Sequence, residues 1–147
     1  MRPNFWKALL ISEWTNEEWE ALCDGCGKCC LIRLEDDDTG EIYSTDVHCK
    51  LYDGDCGGCS NYANRAKHVP DCVKLTPDNI YSLSWLPKTC AYRLITENRP
   101  LFVWHYLVSG SRQTIIDAGM SIVGKTTSEL RVKIKHLPKR IKVWEGE

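Results

Sequence analysis

Cys23-Asp24-Gly25-Cys26-Gly27-Lys28-Cys29-Cys30 places four thiols in eight residues, with glycines where a tight backbone turn needs them. Five further cysteines follow, Cys49, Cys56, Cys59, Cys72 and Cys90, and none lies in the last third of the chain. C-x-x-C spacing lets two thiolates occupy two corners of a tetrahedral zinc ion from one loop. A glycine just after the second cysteine, as at Cys26-Gly27, lets the backbone turn its N–H groups toward sulfur and offset thiolate charge. Cys56-Gly57-Gly58-Cys59 offers a second such pair. Nine thiols exceed one four-coordinate site, so two mononuclear sites or one multinuclear cluster follow. Adjacent Cys29 and Cys30 have diverging side chains, a geometry that favours two neighbouring centres.

Iron fits the same stretch. Cys23-x-x-Cys26-x-x-Cys29 matches the first three ligands of a ferredoxin-type 4Fe–4S motif. The fourth cysteine and its proline are missing at the expected spacing, so a remote cysteine has to complete such a cluster. A thioredoxin-type redox pair is disfavoured, because that motif opens a helix after a strand, whereas Cys23 is expected to close one.

At 147 residues the chain reads as one domain, 1–147. Its opening apolar run, Ala8 to Ile11, is too short for a signal peptide, and no segment approaches the roughly 18 apolar residues of a membrane span. A cytoplasmic location is therefore expected, where thiols stay reduced and metal binding outranks disulfides. The net charge of −1 is unevenly spread: residues 1–60 hold thirteen acids and five bases, and 61–147 hold seven acids and fourteen bases. The basic segment 130–147 carries Lys133, Lys135, Lys139, Arg140 and Lys142, through which nucleic acid or an acidic protein could be held. A solvated strand edge guarded by lysines is the plainer reading.

Thr15-Asn16-Glu17-Glu18 has the form of a capping box. The helix it starts should bury Trp19 and Leu22 and bring Cys23 to its last turn. Leu31–Leu34 and Ile42–Thr45 read as a hairpin around the acidic turn 35–41, which lacks calcium-loop spacing. Cys59, Tyr62 and Arg65 share a face if that stretch is helical, and could donate hydrogen bonds to thiolates. Thr76-Pro77-Asp78-Asn79 predicts a helix to about Ser84, and Thr89 to Leu94 another, with Cys90 in its first turn. Leu130 to Lys135 alternates as a half-buried strand does. His48 beside Cys49, and His105 beside Trp104, are further candidate ligands, although a satisfied core or surface histidine is the commoner role for His105. No serine–histidine–acid, phosphate-loop or dinucleotide fingerprint occurs, and whether the chain is an enzyme is left open.

The sequence resembles the uncharacterised bacterial YcgN-type proteins within the YkgJ-like cysteine-cluster family, described as zinc- or iron-chelating. The residues that carry this are Leu22 to Cys30, Leu34 to Tyr43, Val69-Pro70-Asp71-Cys72, Leu75-Thr76-Pro77 and Trp85-Leu86-Pro87-Lys88-Thr89-Cys90-Ala91-Tyr92-Arg93-Leu94. The likeness extends through Trp104-His105 to the Ser109-Gly110 turn and on to about residue 129. The family carries Trp-His-Pro-Leu where Tyr106 follows His105 here, and the Cys56–Cys59 segment is longer than the family's cysteine pair. A similar cluster occurs in flagellin lysine methylases, but that likeness stops at the cluster and implies no shared activity.

The expectation is a small α+β domain with short helices, a β-hairpin and long loops, stapled by cysteine-bound metal. Its ligands are Cys23, Cys26, Cys29, Cys30, Cys49, Cys59, Cys72 and Cys90, with Cys56 open. The cofactor is zinc or iron, including an iron–sulfur cluster, in two centres. Three classes of function stand: a metal-binding module whose metal is structural, an iron–sulfur or iron-dependent redox component or enzyme, and a nucleic-acid-binding zinc protein.

Overall fold

The computed structural model describes residues 1–54, 59, 63, 67, 75–83 and 85–145. Cys56, Cys72, the Tyr62–Arg65 face and Ser84 lie outside the described residues. Short helices alternate with turns around a small three-stranded sheet, giving a mixed α+β domain. No helix among the described residues is long and apolar enough to cross a membrane.

The capping box forms as the sequence predicts. Helix α1 (Phe5–Ala8) precedes α2 (Asn16–Ala21), where the Glu18 N–H donates to Thr15 Oγ1 at 3.2 Å and Glu18 Oε1 accepts from the Thr15 N–H at 2.9 Å. Arg2 adds a guanidinium–carboxylate contact at 2.7 Å, so the fully buried Glu18 straps the amino terminus to α2. That hydrogen bond from Arg2, ahead of the one from the Thr15 N–H, holds the Glu18 carboxyl down at about 2. Helix α2 ends one turn earlier than expected: Leu22 is the C-cap, and Cys23 lies just beyond it.

The hairpin is present, with strand β1 (Leu31–Glu35) antiparallel to β2 (Ile42–His48). The Asp36 carboxylate closes the turn by accepting from the Asp38 and Thr39 N–H groups. Strand β2 runs three residues past the expected end. Its pairing starts at Leu31↔His48, and the Cys49 N–H donates to the Cys30 carbonyl at 2.8 Å, extending the ladder by one rung. A short parallel strand, β3 (Thr127–Ser128), completes the sheet beside Val47 and His48.

Three expectations need correction. Thr76 and Asn79 do cap one another, but the segment tightens into a 3-10 turn at Ile80–Ser82 and not a helix to residue 84. Cys90 is the N-cap of α3 (Ala91–Thr96), one position before the first turn. Residues 130–135 are not a strand: 3-10 turns at Glu129–Arg131 and Ile134–Arg140 leave Leu130 and Ile134 exposed. The Ser128 hydroxyl accepts from the Leu130 N–H and starts the first of these turns.

Two separate apolar clusters hold the domain. The first joins Trp19 and Leu22 to Ile80, Leu86, Ala91, Tyr92, Leu94 and Leu101, with Cys90 packed on its edge. The second joins Leu31, Tyr52, Ile122 and Trp144, with Cys30 on its edge. Residues 23–30 therefore span from one core to the other.

Candidate metal centre

Helix α2 delivers Cys23, and three carbonyls at its end accept from side chains. A helix end leaves its last C=O groups without intrahelical partners. Here the Tyr92 hydroxyl donates to the Trp19 carbonyl, the Tyr106 hydroxyl to Ala21, and His105 Nε2 to Leu22 at 2.7 Å. His105 is buried, and its Nδ1 accepts from the Leu107 N–H at the start of α4 (Tyr106–Ser109). Both ring nitrogens are thus occupied, so this histidine is a neutral brace behind Cys23 and not a free ligand.

After Cys23 the chain turns twice. Gly25 and Gly27 lie at φ 76° and 80°, the left-handed region that costs other residues strain. Between them the Cys26 N–H donates to Asp24 Oδ1 at 3.0 Å, an Asx turn on a buried aspartate. The Cys26 carbonyl accepts from Ile122 N–H at 2.9 Å, which ties the knuckle to the second core. Gly27 is also sterically required. A Cβ there would meet Ile122 Cγ1 at 2.6 Å and the Tyr52 hydroxyl at 2.7 Å. A 3-10 turn, Lys28–Cys30, then feeds β1. Arg33 braces it from outside, donating to the Lys28 carbonyl at 2.6 Å while stacking over Trp85 at 4.4 Å. Lys28 is buried, with its ammonium on the Glu145 carbonyl.

The described cysteines are all free thiols: Cys23, Cys26, Cys29, Cys30, Cys49, Cys59 and Cys90. Their mutual electrostatics divide them. Burial, then the Cys29 charge and Asp24, push the Cys23 thiol up to about 12, with a further contribution from Cys90. Cys23 and Cys29 are themselves exposed to solvent, whereas Cys26, Cys30, Cys49, Cys59 and Cys90 are half-buried. Burial likewise leads in raising Cys26, followed by Asp24, Cys29 and Cys23. Cys90 rises to about 11 through burial, against the pull of the Arg93 and Tyr92 N–H groups at the start of α3. Those N–H groups favour the Cys90 thiolate, but desolvation outweighs them.

Cys30 belongs elsewhere. Its thiol donates to Cys29, which holds Cys30 up and Cys29 down, and Cys30 also feels Cys49 and Cys59. The extra rung of the ladder explains the first of these contacts. Directly opposed residues of an antiparallel pair have Cβ atoms about 5 Å apart on one face. Cys59 arrives by an antiparallel bridge to Tyr52, whose own N–H donates to the Cys49 carbonyl at 2.9 Å.

Of the sequence-predicted ligands, Cys90 packs on the edge of the first apolar cluster and Cys30 on the edge of the second, Cys29 and Cys30 interact directly, and Cys49 and Cys59 follow from the end of the ladder and the bridge to Tyr52. His48 Nδ1 is engaged with Thr126 Oγ1 at 2.8 Å. Among the described residues, no group of three or more His, Cys, Asp or Glu side chains is already arranged to hold a metal ion. The donor chemistry nonetheless fits a thiophilic cation. Neutral, crowded thiols that resist ionisation alone are what a bound dication would convert to thiolates. One buried polar atom points the same way. The Tyr52 hydroxyl has no hydrogen-bond partner among the described residues, and a buried hydroxyl left unpaired costs about 1–3 kcal/mol.

The sequence reading missed Tyr52, Asp24, His105 with Tyr106 as helix-end donors, and Arg33. An aspartate inside C-x-x-C and a tyrosine three residues after Cys49 were the available signals.

The family described as "Putative zinc- or iron-chelating domain", CxxCxxCC, matches residues 22–91. A UPF0260 protein of Mesorhizobium japonicum is 57% identical over 125 residues, covering 85% of this chain and 84% of its own. One from Rhodopseudomonas palustris is 50% identical over 141 residues, covering 95% and 83%. One from Rhizobium etli is 51% identical over 140 residues, covering 95% and 89%. No solved structure matches. With relatives 57% and 50% identical to it and alike over more than four fifths of their own length, the chain belongs to the UPF0260 family.

Proposed function

We propose that the chain binds zinc or iron at two neighbouring thiolate centres, and that the metal organises the fold. The first centre would use Cys23, Cys26, Cys29 and Cys90; the second Cys30, Cys49 and Cys59, with Cys72 as the fourth ligand. The observation that supports this reading is that Cys90 packs on the edge of the first apolar cluster and Cys30 on the edge of the second. A metal held through each of them would pin that cluster to the shared knuckle. Bound dications would supply the positive charge that keeps these sulfurs ionised at neutral pH.

Elemental analysis of protein purified without oxygen tests it. Two metal equivalents are expected, with Cys90→Ser and Cys49→Ser each losing one. A single equivalent lost in full by both variants would sink the two-centre reading. Anaerobic handling matters because site occupancy follows metal availability as well as ligand type.

A second reading has one specific observation in its favour. Cys90 joins the Cys23-x-x-Cys26-x-x-Cys29 run across a long sequence gap, the remote fourth thiol that a 4Fe–4S cluster needs there. The first centre would then be a redox cluster. Brown protein with charge-transfer absorption supports that version, and colourless protein with stoichiometric zinc refutes it.

A further inference from the structure

Residues 140–145 run alongside β2 as a strap held at its two ends. Arg140 clamps one end, its guanidinium donating to Asp46 Oδ1 at 2.6 Å and to Thr127 Oγ1 at 2.8 Å. Trp144 anchors the other. Its buried ring joins Leu31, Tyr52 and Ile122, and its indole N–H donates to the Thr45 carbonyl at 3.0 Å. Between the anchors the backbone is lightly held, by an isolated bridge of Ile141 to Thr45 and by the Lys142 N–H donating to the Ser44 carbonyl at 2.9 Å. Ile141, Lys142 and Val143 are exposed there.

The knuckle meets this strap through Lys28. Only 2% of the residue is accessible, and its ammonium donates to the Glu145 carbonyl. None of the ion pairs among the described residues includes it. An ammonium taken out of water with a neutral carbonyl as acceptor loses hydration that no counter-charge returns. Opening the strap would rehydrate it, so closure works against a cost of its own. The same 3-10 turn, Lys28–Cys30, carries Cys30, which packs half-buried against the cluster that Trp144 completes. Lifting Trp144 and Glu145 would therefore uncover Lys28 and Cys30 together.

We infer that residues 140–145 are a releasable strap over the knuckle, its closure opposed by the buried Lys28 ammonium. It opens by local unfolding and admits thiol-seeking solutes to Cys30 while the hairpin and the helices stay folded. Short segments with few buried contacts and exposed backbone open in this way, below the free energy of global unfolding. The inference stands whether the nearby sulfurs hold one metal, two or none.

Hydrogen exchange on the full wild-type chain is the first test. The Lys142 N–H should exchange about tenfold or more faster than the β1–β2 rungs. Equal rates would mean that the strap opens only with the whole fold, and would overturn the inference. Lys28→Met is the second test, since it fills the same space without the charge. Exchange in the strap should slow about tenfold while the hairpin keeps its rate. Unchanged or faster exchange would show that the ammonium fastens the strap, against the inference.

Access is read by N-ethylmaleimide labelling of the folded chain, resolved by cysteine. In Trp144→Ala the Cys30 rate should rise about a hundredfold, with no change at Cys90, which packs on the other core. A parallel rise at both would mark general loosening, and no rise at Cys30 would mean that the strap covers nothing; either result overturns the assignment. Should Trp144→Ala not fold, Arg140→Gln releases the opposite anchor at a part-exposed ion pair. Cys30 labelling should then rise about threefold, and an unchanged rate would count against the strap.

Discussion

Cys23 and Cys90 are carried by helix ends, whereas Cys30 and Cys49 are carried by the end of a strand ladder. Cys23 follows the C-cap of α2, and Cys90 is the N-cap of α3. Both helices are packed through Trp19, Leu22, Tyr92 and Leu94, so these two sulfurs hang from a preformed scaffold. At the second core the supports are a backbone hydrogen bond, an isolated bridge and a smaller cluster of four buried residues. Polar satisfaction differs in the same sense. The Trp19, Ala21 and Leu22 carbonyls behind Cys23 each have a side-chain donor, while the Tyr52 hydroxyl has no hydrogen-bond partner among the described residues. On the two-centre proposal, the first end would be prepared before a metal arrives and the second would be completed by one.

Metal removal should break this asymmetry open with the largest effect. Structural zinc contributes on the order of 10 kcal/mol or more to folding in small domains. Chelation should therefore abolish cooperative melting around Tyr52, Ile122 and Trp144 while leaving partial protection in α2 and α3. Hydrogen exchange resolved along the chain reads this directly. Equal loss at both cores would mean that the helical scaffold is no more preformed than the ladder. Cys26→Ser should reproduce most of the damage, because Cys26 sits in the knuckle both cores share; an unchanged cooperative melt after full demetallation would remove the structural role altogether.

The two knuckle glycines divide the comparison more finely. Gly27→Ala forces a left-handed alanine and drives a methyl into Ile122 and Tyr52. Strain and overpacking together should cost about 2–5 kcal/mol. Gly25→Ala carries the same backbone strain, but its methyl would meet only Arg112 Nη1 at 3.7 Å, so about 1–2 kcal/mol is expected. Denaturant melts of the two variants give the difference, and equal losses would show that the close approach at Gly27 relaxes freely.

His105→Ala tests the preparation of the first end. It leaves the Leu22 carbonyl unpaired and opens a hole where a buried ring stood, about 2–4 kcal/mol together. Metal should be lost preferentially from the Cys23 and Cys90 centre. Parallel loss from both centres would show that the brace serves the knuckle as a whole.

What could be read in the sequence, and what could not, follows the same line. The capping box, the hairpin and the glycine-shaped knuckle are local devices, each encoded within a few adjacent residues. The extension of β2 over residues 46–48 was hidden because Asp46 and His48 are polar, His48 being buried with its Nδ1 engaged with Thr126 Oγ1. No apolar alternation marks such a strand. Yet those last three residues bring Cys49 opposite Cys30. The alternation from Leu130 to Lys135 misled in the opposite way, since a period of two makes a strand only where a partner edge is available. How the thiols group depends on tertiary packing, and the count alone says only that nine thiols exceed one four-coordinate site.

The smallest expected effect comes from acid. The Glu18 carboxyl is held at about 2 in the folded chain, from an ordinary value of 4.5, by its hydrogen bond from Arg2 and then by the Thr15 N–H. A depressed folded value means that Glu18 stabilises the chain fully above about 4.5, and that this contribution fades as pH falls toward 2. Helix α2 supports only the first end, so the loss should fall there. Glu18→Gln should lower stability at neutral pH, and the gap from wild type should narrow progressively below pH 4.5. Measured on metal-free protein, where thiolate protonation plays no part, the narrowing should be seen in exchange at α2 and α3 and not along β1 and β2. If the gap stayed constant with pH, or narrowed equally in the hairpin, the amino-terminal strap would not be specific to the helical end.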